Sequence, residues 1–289
     1  MSVPQVLVVV PAHDEERVIA RCVRSLLAAD GVRVRVVVVA NGCSDATAQR
    51  VRDLDDPRVT LVDLPTGGKA NAVRAGLAHA SHDDDVVAVV DADVVLDDAA
   101  LPGLACALAG ASPLISAPAL ALDLSACSWG VRRYYAAWLH EPHVRSGDIG
   151  ARGVYAVNRA GLPRLADLPD VIADDGWARA VFAPHERVVS PGTSTVRPPR
   201  TLRAQVRRRA RIIAGGHELA RVLPVERRPA ARPDAPPRRP PRTLRSRLAD
   251  DGLVGTAVWY AVELPARAID RRHRRRGSAT PWGRDATTR

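Results

Sequence analysis

Val86-Val87-Ala88-Val89-Val90-Asp91-Ala92-Asp93 decides how the rest of the chain is read. The apolar, mostly β-branched run predicts a strand buried on both faces. It stops in two carboxylates spaced i, i+2, which in an extended chain point to the same side. Two acids on one side at the carboxyl end of a buried strand suit a hard divalent cation, Mg²⁺ or Mn²⁺, shared with substrate phosphates. Asp-x-Asp alone is also a common acidic turn, so its meaning rests on its surroundings.

Upstream, the same pattern of a Val-rich run followed by a helical stripe repeats. Val6–Pro11 and Val34–Val39 read as buried strands and Val59–Leu64 as a third. Helices are expected from about Asp14 to Ala29, with Asp14 at the cap, then to about Leu54, and from Lys69 to Ala80. Strand and helix alternating in this way predict a mostly parallel sheet covered on both faces, an α/β fold. Downstream, Leu101–Leu122 has no charged residue over 22 positions. Pro102, Pro113 and Pro118 break it into a short helix, a turn and a strand near Leu114–Leu122, and rule against one spanning helix. Ser125–Leu139 is expected as a helix, Gly150–Asn158 as a strand and Asp174-Asp175-Gly176-Trp177 as a helix start. Arg187–Val189 reads as a last short strand, Pro191–Pro199 as loop and Leu202–Ala214 as a basic helix.

The chain has 289 residues, 46% hydrophobic but only 3% aromatic, so its core is built of Val, Leu and Ala. Four cysteines (Cys22, Cys43, Cys106, Cys127) show no metal-binding spacing, and the first residues lack the pattern of a secretory signal. Reduced thiols in the cytoplasm are expected. Residues 1–196 carry 18 basic and 24 acidic side chains; residues 197–289 carry 24 and 8. The basic back third calls for an acidic partner: phosphate groups, nucleic acid or an anionic membrane surface. Pro224–Pro241 is rich in Pro and Arg and too poor in apolar residues to fold alone. Leu253–Ile269 regains apolar content; as a helix it either lies at a membrane interface or packs back on the domain. The expected organisation is a domain over 1–223 (a nucleotide-binding half, 1–100, and an acceptor half, 101–223), a linker over 224–243, and a basic helix and tail over 244–289.

In open α/β sheets, ligands bind beyond the carboxyl ends of the strands. The unusual polar clusters of this chain lie there: Pro11-Ala12-His13-Asp14-Glu15 after the first strand, Asn41-Gly42 after the second, and Asp91-Ala92-Asp93 after the fourth. Gly67-Gly68-Lys69 opens a helix, where backbone N–H groups and an ammonium can meet an anion.

Taken together, Pro11–Glu16, Val39–Thr47, Gly68-Lys69-Ala70-Asn71-Ala72 and Asp91-Ala92-Asp93 resemble the ordered motif series of glycosyltransferase family 2, of the GT-A fold, over about residues 5–215. The resemblance implies an inverting, metal-dependent transferase of the hexosyltransferase type. It would move a sugar from a nucleotide-diphosphate sugar to an acceptor hydroxyl. It places Pro11, Ala12, His13, Glu15 and Asn41 around the base and ribose, and Lys69 and Asp91 near the nucleotide. Asp93 becomes the metal ligand, for Mn²⁺ or Mg²⁺. Where the family usually has an aspartate pair in its second motif, Ala40-Asn41 stands here. Asp174-Asp175 matches the family's acidic pair, in which the second residue is the general base; Asp175 is that residue here, with Asp174 the alternative. Gln205-Val206-Arg207-Arg208-Arg209 resembles the Gln-x-x-Arg-Trp motif of processive members, with Arg209 in place of Trp. That points to non-processive transfer, with Arg208 or Arg207 reaching the diphosphate. His185 and His217 are the candidates for a further metal ligand.

Two other readings share some features. A nucleotidyltransferase on a related sheet calls for a basic, Gly-rich loop after the first strand, where this chain is acidic. An Arg-rich nucleic-acid-binding protein calls for aromatic stacking positions, which this chain lacks, so no nucleic acid is expected. The expected partners are the sugar donor and a hydroxyl acceptor, lipid-linked or phosphorylated. The basic C-terminal region is expected to contact the inner face of the membrane peripherally.

Overall fold

The computed structural model describes residues 3–145, 148–223 and 242–276. In chain order they form β1 (Gln5–Ala12), α1 (Ile19–Leu27), β2 (Arg33–Asn41), α2 (Thr47–Arg52), β3 (Val59–Leu64), α3 (Lys69–Leu77), β4 (Val86–Val90), β5 (Val95–Leu96), α4 (Ala100–Ala107), β6 (Ile115–Leu122), α5 (Trp129–Trp138), α6 (Pro142–Arg145), β7 (Val154–Asn158), α7 (Asp174–Ala180), β8 (Arg187–Val196), α8 (Leu202–Val222) and α9 (Leu244–Arg275). The strands make one sheet in the order β3-β2-β1-β4-β7-β6-β8-β5. The first four strands are parallel, with Val8 opposite both Val36 and Ala88. β7 runs antiparallel to β4 and β6, while β8 lies parallel to β6. The architecture is the expected GT-A-like α/β sheet with a helical C-terminal part.

The Val runs of β1, β2 and β4 are continuous because these strands are covered twice. Along β1, Val6, Val8 and Val10 join a cluster with Ile19, Val23 and Leu26 of α1 and with Leu101 and Leu104 of α4. Leu7 and Val9 point the other way, toward Val73 of α3 and Trp177 and Ala178 of α7. Period-two alternation inside an unbroken apolar run is what two-sided burial produces. A third cluster joins Val131, Tyr134 and Tyr135 of α5 to Trp259 and Val262 of α9.

Several boundaries move, each for a physical reason. Asp14 does not cap α1, which starts at Ile19 with no side-chain cap. Instead Asp14 takes a left-handed conformation (φ 54°) and its Oδ1 accepts from the N–H of Ser44 at 2.6 Å and of Asp45 at 3.2 Å. β8 continues through Pro191 to Val196, where loop was expected. Register against β6 jumps from Ser190 to Thr193, so Pro191 and Gly192 sit in a bulge where no ladder donor is required. α8 passes through Gly215-Gly216 to Val222, with Gly215 buried against Ile172 and Ala173.

α9 packs back on the domain, burying Trp259, Val262 and Ala266. It bends at Gly252 (φ 69°). No helix among the described residues is long and apolar enough to cross a membrane. Many C-terminal arginines meet acids of their own chain. Arg242 pairs with Asp250 and Asp251, Arg247 with Glu141, and Arg274 with Asp270. The stretch 224–241, expected as linker, lies outside the described residues.

Gly76 lets α3 lie directly on β1: a Cβ there would stand 2.1 Å from Val9 Cγ1. Gly76→Ala is expected to cost about 1–3 kcal/mol by forcing α3 off the sheet. Urea denaturation checks this; an unchanged midpoint would show that α3 can shift freely.

Candidate active site

The parallel half of the sheet delivers β1, β2 and β4 with their carboxyl ends side by side. The loops that follow are locked together. His13 Nδ1 lies 2.8 Å from the Asn41 carbonyl oxygen. The N–H of Gly42 donates to Leu64 at 2.8 Å, and a Cβ on Gly42 would stand 2.5 Å from the Gly67 nitrogen. Gly42, with φ 62°, is therefore required on both conformational and steric grounds. This contact brings the Asn41 loop, the His13 loop and the Gly67-Gly68 start of α3 to one place. Pro11, Ala12 and Glu15 are buried in the same corner. Glu15 is anchored through its N–H, which donates to Thr47 Oγ1 at 2.6 Å.

Asn41 is fully buried, yet neither its Oδ1 nor its Nδ2 has a hydrogen-bond partner among the described residues. A buried amide left in that state costs on the order of 1–3 kcal/mol. Its complementary donor and acceptor match the edge of a nucleobase.

Lys69, at the first position of α3, sends its ammonium inward. Nζ lies 2.7 Å from Asp91 Oδ1 and 2.8 Å from Asp174 Oδ1. Burial opposes the charge on Lys69, but Asp174, Asp91 and Asp175 around it more than offset this and hold its pKa above the usual lysine range. Asp174, with 1% of its side chain exposed, also accepts from Tyr155 OH at 3.3 Å. Its pKa is raised to about 6, chiefly by burial and further by Asp175 and Asp91, against the pull of Lys69. Asp175 is more open; its Oδ1 accepts the N–H of Gly176 at 2.7 Å. The two acids that the sequence left as alternatives thus differ. Asp174 is taken up by Lys69 and Tyr155, while Asp175 stays within the field of Lys69 and half-exposed.

Asp93, two residues beyond Asp91, is half-buried in the field of Arg21 and Arg208. Arg208 Nη1 donates to Tyr135 OH at 2.5 Å, and Tyr135 OH donates to Gln205 Oε1 at 3.2 Å. Arg207 is exposed. Tyr155 and Tyr135 were not singled out in the sequence, where their one signal was scarcity, since the chain has only four tyrosines; Gln205 stood there only as the start of the Gln-x-x-Arg motif.

Among the described residues, one group of three possible metal ligands lies within 4.8 Å: Asp14, Cys43 and Asp45. Its carboxylates already accept from Ser44, Thr47 and the N–H of Glu16, and a thiol is a soft ligand. Of the Asp-x-Asp pair, Asp91 is the acid that Lys69 holds. One carboxylate plus substrate phosphates and water is a usual Mg²⁺ set. His217 Nε2 lies 3.5 Å from Asp270 Oδ2, on a cleft of about 790 Å³ beside Gly67 and Gly68. His185 sits in the turn Pro184–Glu186. Neither joins Asp93 in a ligand cluster among the described residues.

A mixed sheet with a parallel half and acids at the carboxyl end of β4 defines the class, a GT-A-type fold. In sequence, residues 7–118 match the model for "Glycosyl transferase family 2". Over 93 residues the chain is 40% identical to the succinoglycan biosynthesis protein ExoO of Rhizobium meliloti, which covers 32% of this chain and 26% of that protein. The chain thus spans about a quarter of that relative. Mannosyltransferase PcManGT from Pyrobaculum calidifontis, solved with GDP-Man and Mn²⁺, superposes with a TM-score of 0.57 at 21% identity over 96% of this chain and 77% of that one. Glucosyl-3-phosphoglycerate synthase from Mycobacterium tuberculosis, solved with Mn²⁺, UDP and glucosyl-3-phosphoglycerate, gives 0.52 at 21% identity over 75% and 79%. At these identities the structures speak to the fold.

The raised pKa of Asp174 carries a stability prediction. The folded chain holds that proton more tightly than the unfolded chain, so this group's stabilisation is full at low pH and is lost as pH rises toward about 6. Asp174→Asn lacks the titration. The melting temperature of the variant minus that of the wild type should therefore climb between about pH 4 and 6 and level off above. A difference flat across that window would show that Asp174 stays ionised throughout.

Proposed function

We propose that this protein is an inverting glycosyltransferase that moves a sugar from a nucleotide-diphosphate sugar to an acceptor hydroxyl, one transfer per encounter. The observation that carries the reading is the Lys69 bridge. It ties the carboxyl end of β4, which runs on to Asp93, an acid suited to a cation, to the start of α7, which carries Asp175, an acid suited to a base. Inversion needs this arrangement, because the acceptor attacks from the face opposite the leaving diphosphate and must lose its proton there.

Each residue then has a task. Pro11, Ala12, His13, Glu15 and Asn41 hold the base and ribose, with the Asn41 amide completing its hydrogen bonds on the base. Lys69 keeps Asp91 oriented toward the ribose. Asp175, rather than Asp174, takes the acceptor proton, because the shared Lys69 and Tyr155 contacts leave Asp174 as its support. Arg208 faces the leaving diphosphate. Asp93 would hold Mn²⁺ or Mg²⁺, which supplies positive charge against the diphosphate as the bond to the sugar breaks. The Mn²⁺ in two similar structures, with GDP-Man in one and UDP in the other, supports this assignment. Arg209 in place of Trp supports single transfer. We place the enzyme in the cytoplasm, where nucleotide sugars and its four free thiols are compatible, and take its acceptor to be phosphorylated or lipid-linked.

Two variants test the assignments. Wild-type protein with Mn²⁺ should melt at a higher temperature on adding UDP, GDP or dTDP. Asp93→Ala should lose the Mn²⁺-dependent part of that shift, and retention of it would remove Asp93 as the ligand. Asp175→Asn should bind the nucleotide as the wild type does while sugar transfer, followed by nucleotide release from a donor panel, falls about 10²-fold or more. Near-normal turnover would move the base elsewhere.

A further inference from the structure

Two pairs of neighbouring residues are split between two sides of the molecule. On α5, Tyr134 precedes Tyr135; on α8, Arg208 precedes Arg209. Successive helical side chains point about 100° apart. Tyr135 and Arg208 meet each other toward Asp93. Tyr134 and Arg209 turn to α9, where both bond the same carboxylate, Glu263. Tyr134 OH donates to Glu263 Oε1 at 3.2 Å; Arg209 donates through Nε to Oε1 and through Nη2 to Oε2 at 3.3 Å. Glu263 is 2% exposed, and its other cationic neighbour is Arg267, at 3.7 Å on the same helix.

The carboxylate is itself fixed. α9 is held by Trp259 and Val262 in the apolar cluster with α5, and Arg247 lies 3.4 Å over the Trp259 ring while pairing with Glu141 at 2.7 Å. Holding α9 on the domain does not require an ion pair, since apolar residues of similar size usually hold two helices as well. A directional, three-bond contact does something else: it fixes the rotation of both helices about their axes, and so the aim of the adjacent residues, about 100° around each helix.

We propose that Glu263 is a positioning residue for the donor site. By holding Tyr134 and Arg209, it sets the aim of Tyr135 and Arg208 toward Asp93, which makes α9 a working part of the enzyme. The inference rests on the reading of Arg208 as a diphosphate contact. Arg209 occupies the position that carries Trp in the motif it resembles, and here that position serves the tether.

The test is titration calorimetry with Mn²⁺, comparing UDP and GDP with UMP and GMP. Glu263→Gln should weaken diphosphate binding about tenfold, the size of one weakened charge-assisted hydrogen bond, while monophosphate binding stays within about twofold. Arg208→Lys should show the same selective loss, and the double variant should lose no more than either single one, because both act on one contact. Unchanged diphosphate affinity in Glu263→Gln overturns the proposal. So does an equal loss for monophosphates, which marks general damage, or losses that add. If Glu263→Gln does not fold, Arg209→Lys keeps the charge, shortens its reach and is read in the same way. A wild type that binds none of the nucleotides overturns the donor reading and this inference together; binding that Glu263→Gln leaves untouched overturns this inference alone.

Discussion

The ammonium of Lys69, held between Asp91 and Asp174, is the contact on which the site depends. Removing a charge from water is expensive, and one carboxylate seldom repays it. Here two carboxylates within 2.8 Å share one cation, with Tyr155 behind the second. The three elements joined come from distant parts of the sequence: the start of α3, the end of β4 and the start of α7. Lys69 is the only lysine among 42 basic residues. A compact ammonium with three rotatable donors fits between two converging carboxylates, whereas the planar fork of arginine suits one carboxylate taken side-on. In a chain that uses arginine elsewhere, the shape of this pocket accounts for the exception.

The sheet supplies the precision that the bridge needs. The inner strands β1, β2 and β4 are packed on both faces, so their carboxyl ends cannot slide without moving two layers of Val and Leu. Glycines then allow close approach where polar loops must meet. Gly42 admits the Gly67 backbone, and Gly153, at φ 64°, leaves space beside Asp91 and Val94, where a Cβ would stand 2.5 Å from Val94 Cγ2. Rigid strands with close-packed loops at their ends hold charged groups in place with little cost in local ordering.

What was legible in the sequence and what was not divides along the range of the interactions. Val86–Val90 was read to the residue, because two-sided burial leaves an unbroken apolar run, and so was the edge strand Val59–Leu64, whose apolar residues are interrupted by the exposed Thr60 and Asp63. The motifs at the strand ends were legible as a set, since the parallel topology that collects them follows from alternating strands and helices. Pro191 hid half of β8, because a bulge that frees a proline from the ladder has no local signature. Asp14 read as a helix cap, yet its partners lie thirty residues away in the Ser44 loop. The basic tail suggested an external anion, but the acids that meet Arg209, Arg242 and Arg247 are Glu263, Asp250, Asp251 and Glu141 of the same chain. Charge counts along a sequence cannot separate internal pairs from a surface.

The same limit explains why the acidic pair 174–175 had to be resolved in three dimensions. In sequence the two aspartates are equivalent capping acids at the start of a short helix. In the fold, one turns inward to Lys69 and Tyr155 and the other stays half-exposed. A general base must lose its proton to water easily and yet lie beside the reacting hydroxyl. A fully buried carboxylate with a raised pKa and a fixed ammonium partner is poorly suited to that, because accepting a proton would break the bridge that holds the crevice together. An adjacent acid that is oriented by its own helix N–H, and whose protonation leaves the bridge intact, meets both demands. The buried member of the pair therefore bears on the proposed role of its neighbour: Asp174 holds the geometry through Lys69 and Tyr155, which leaves the base role to Asp175 in the reading proposed above.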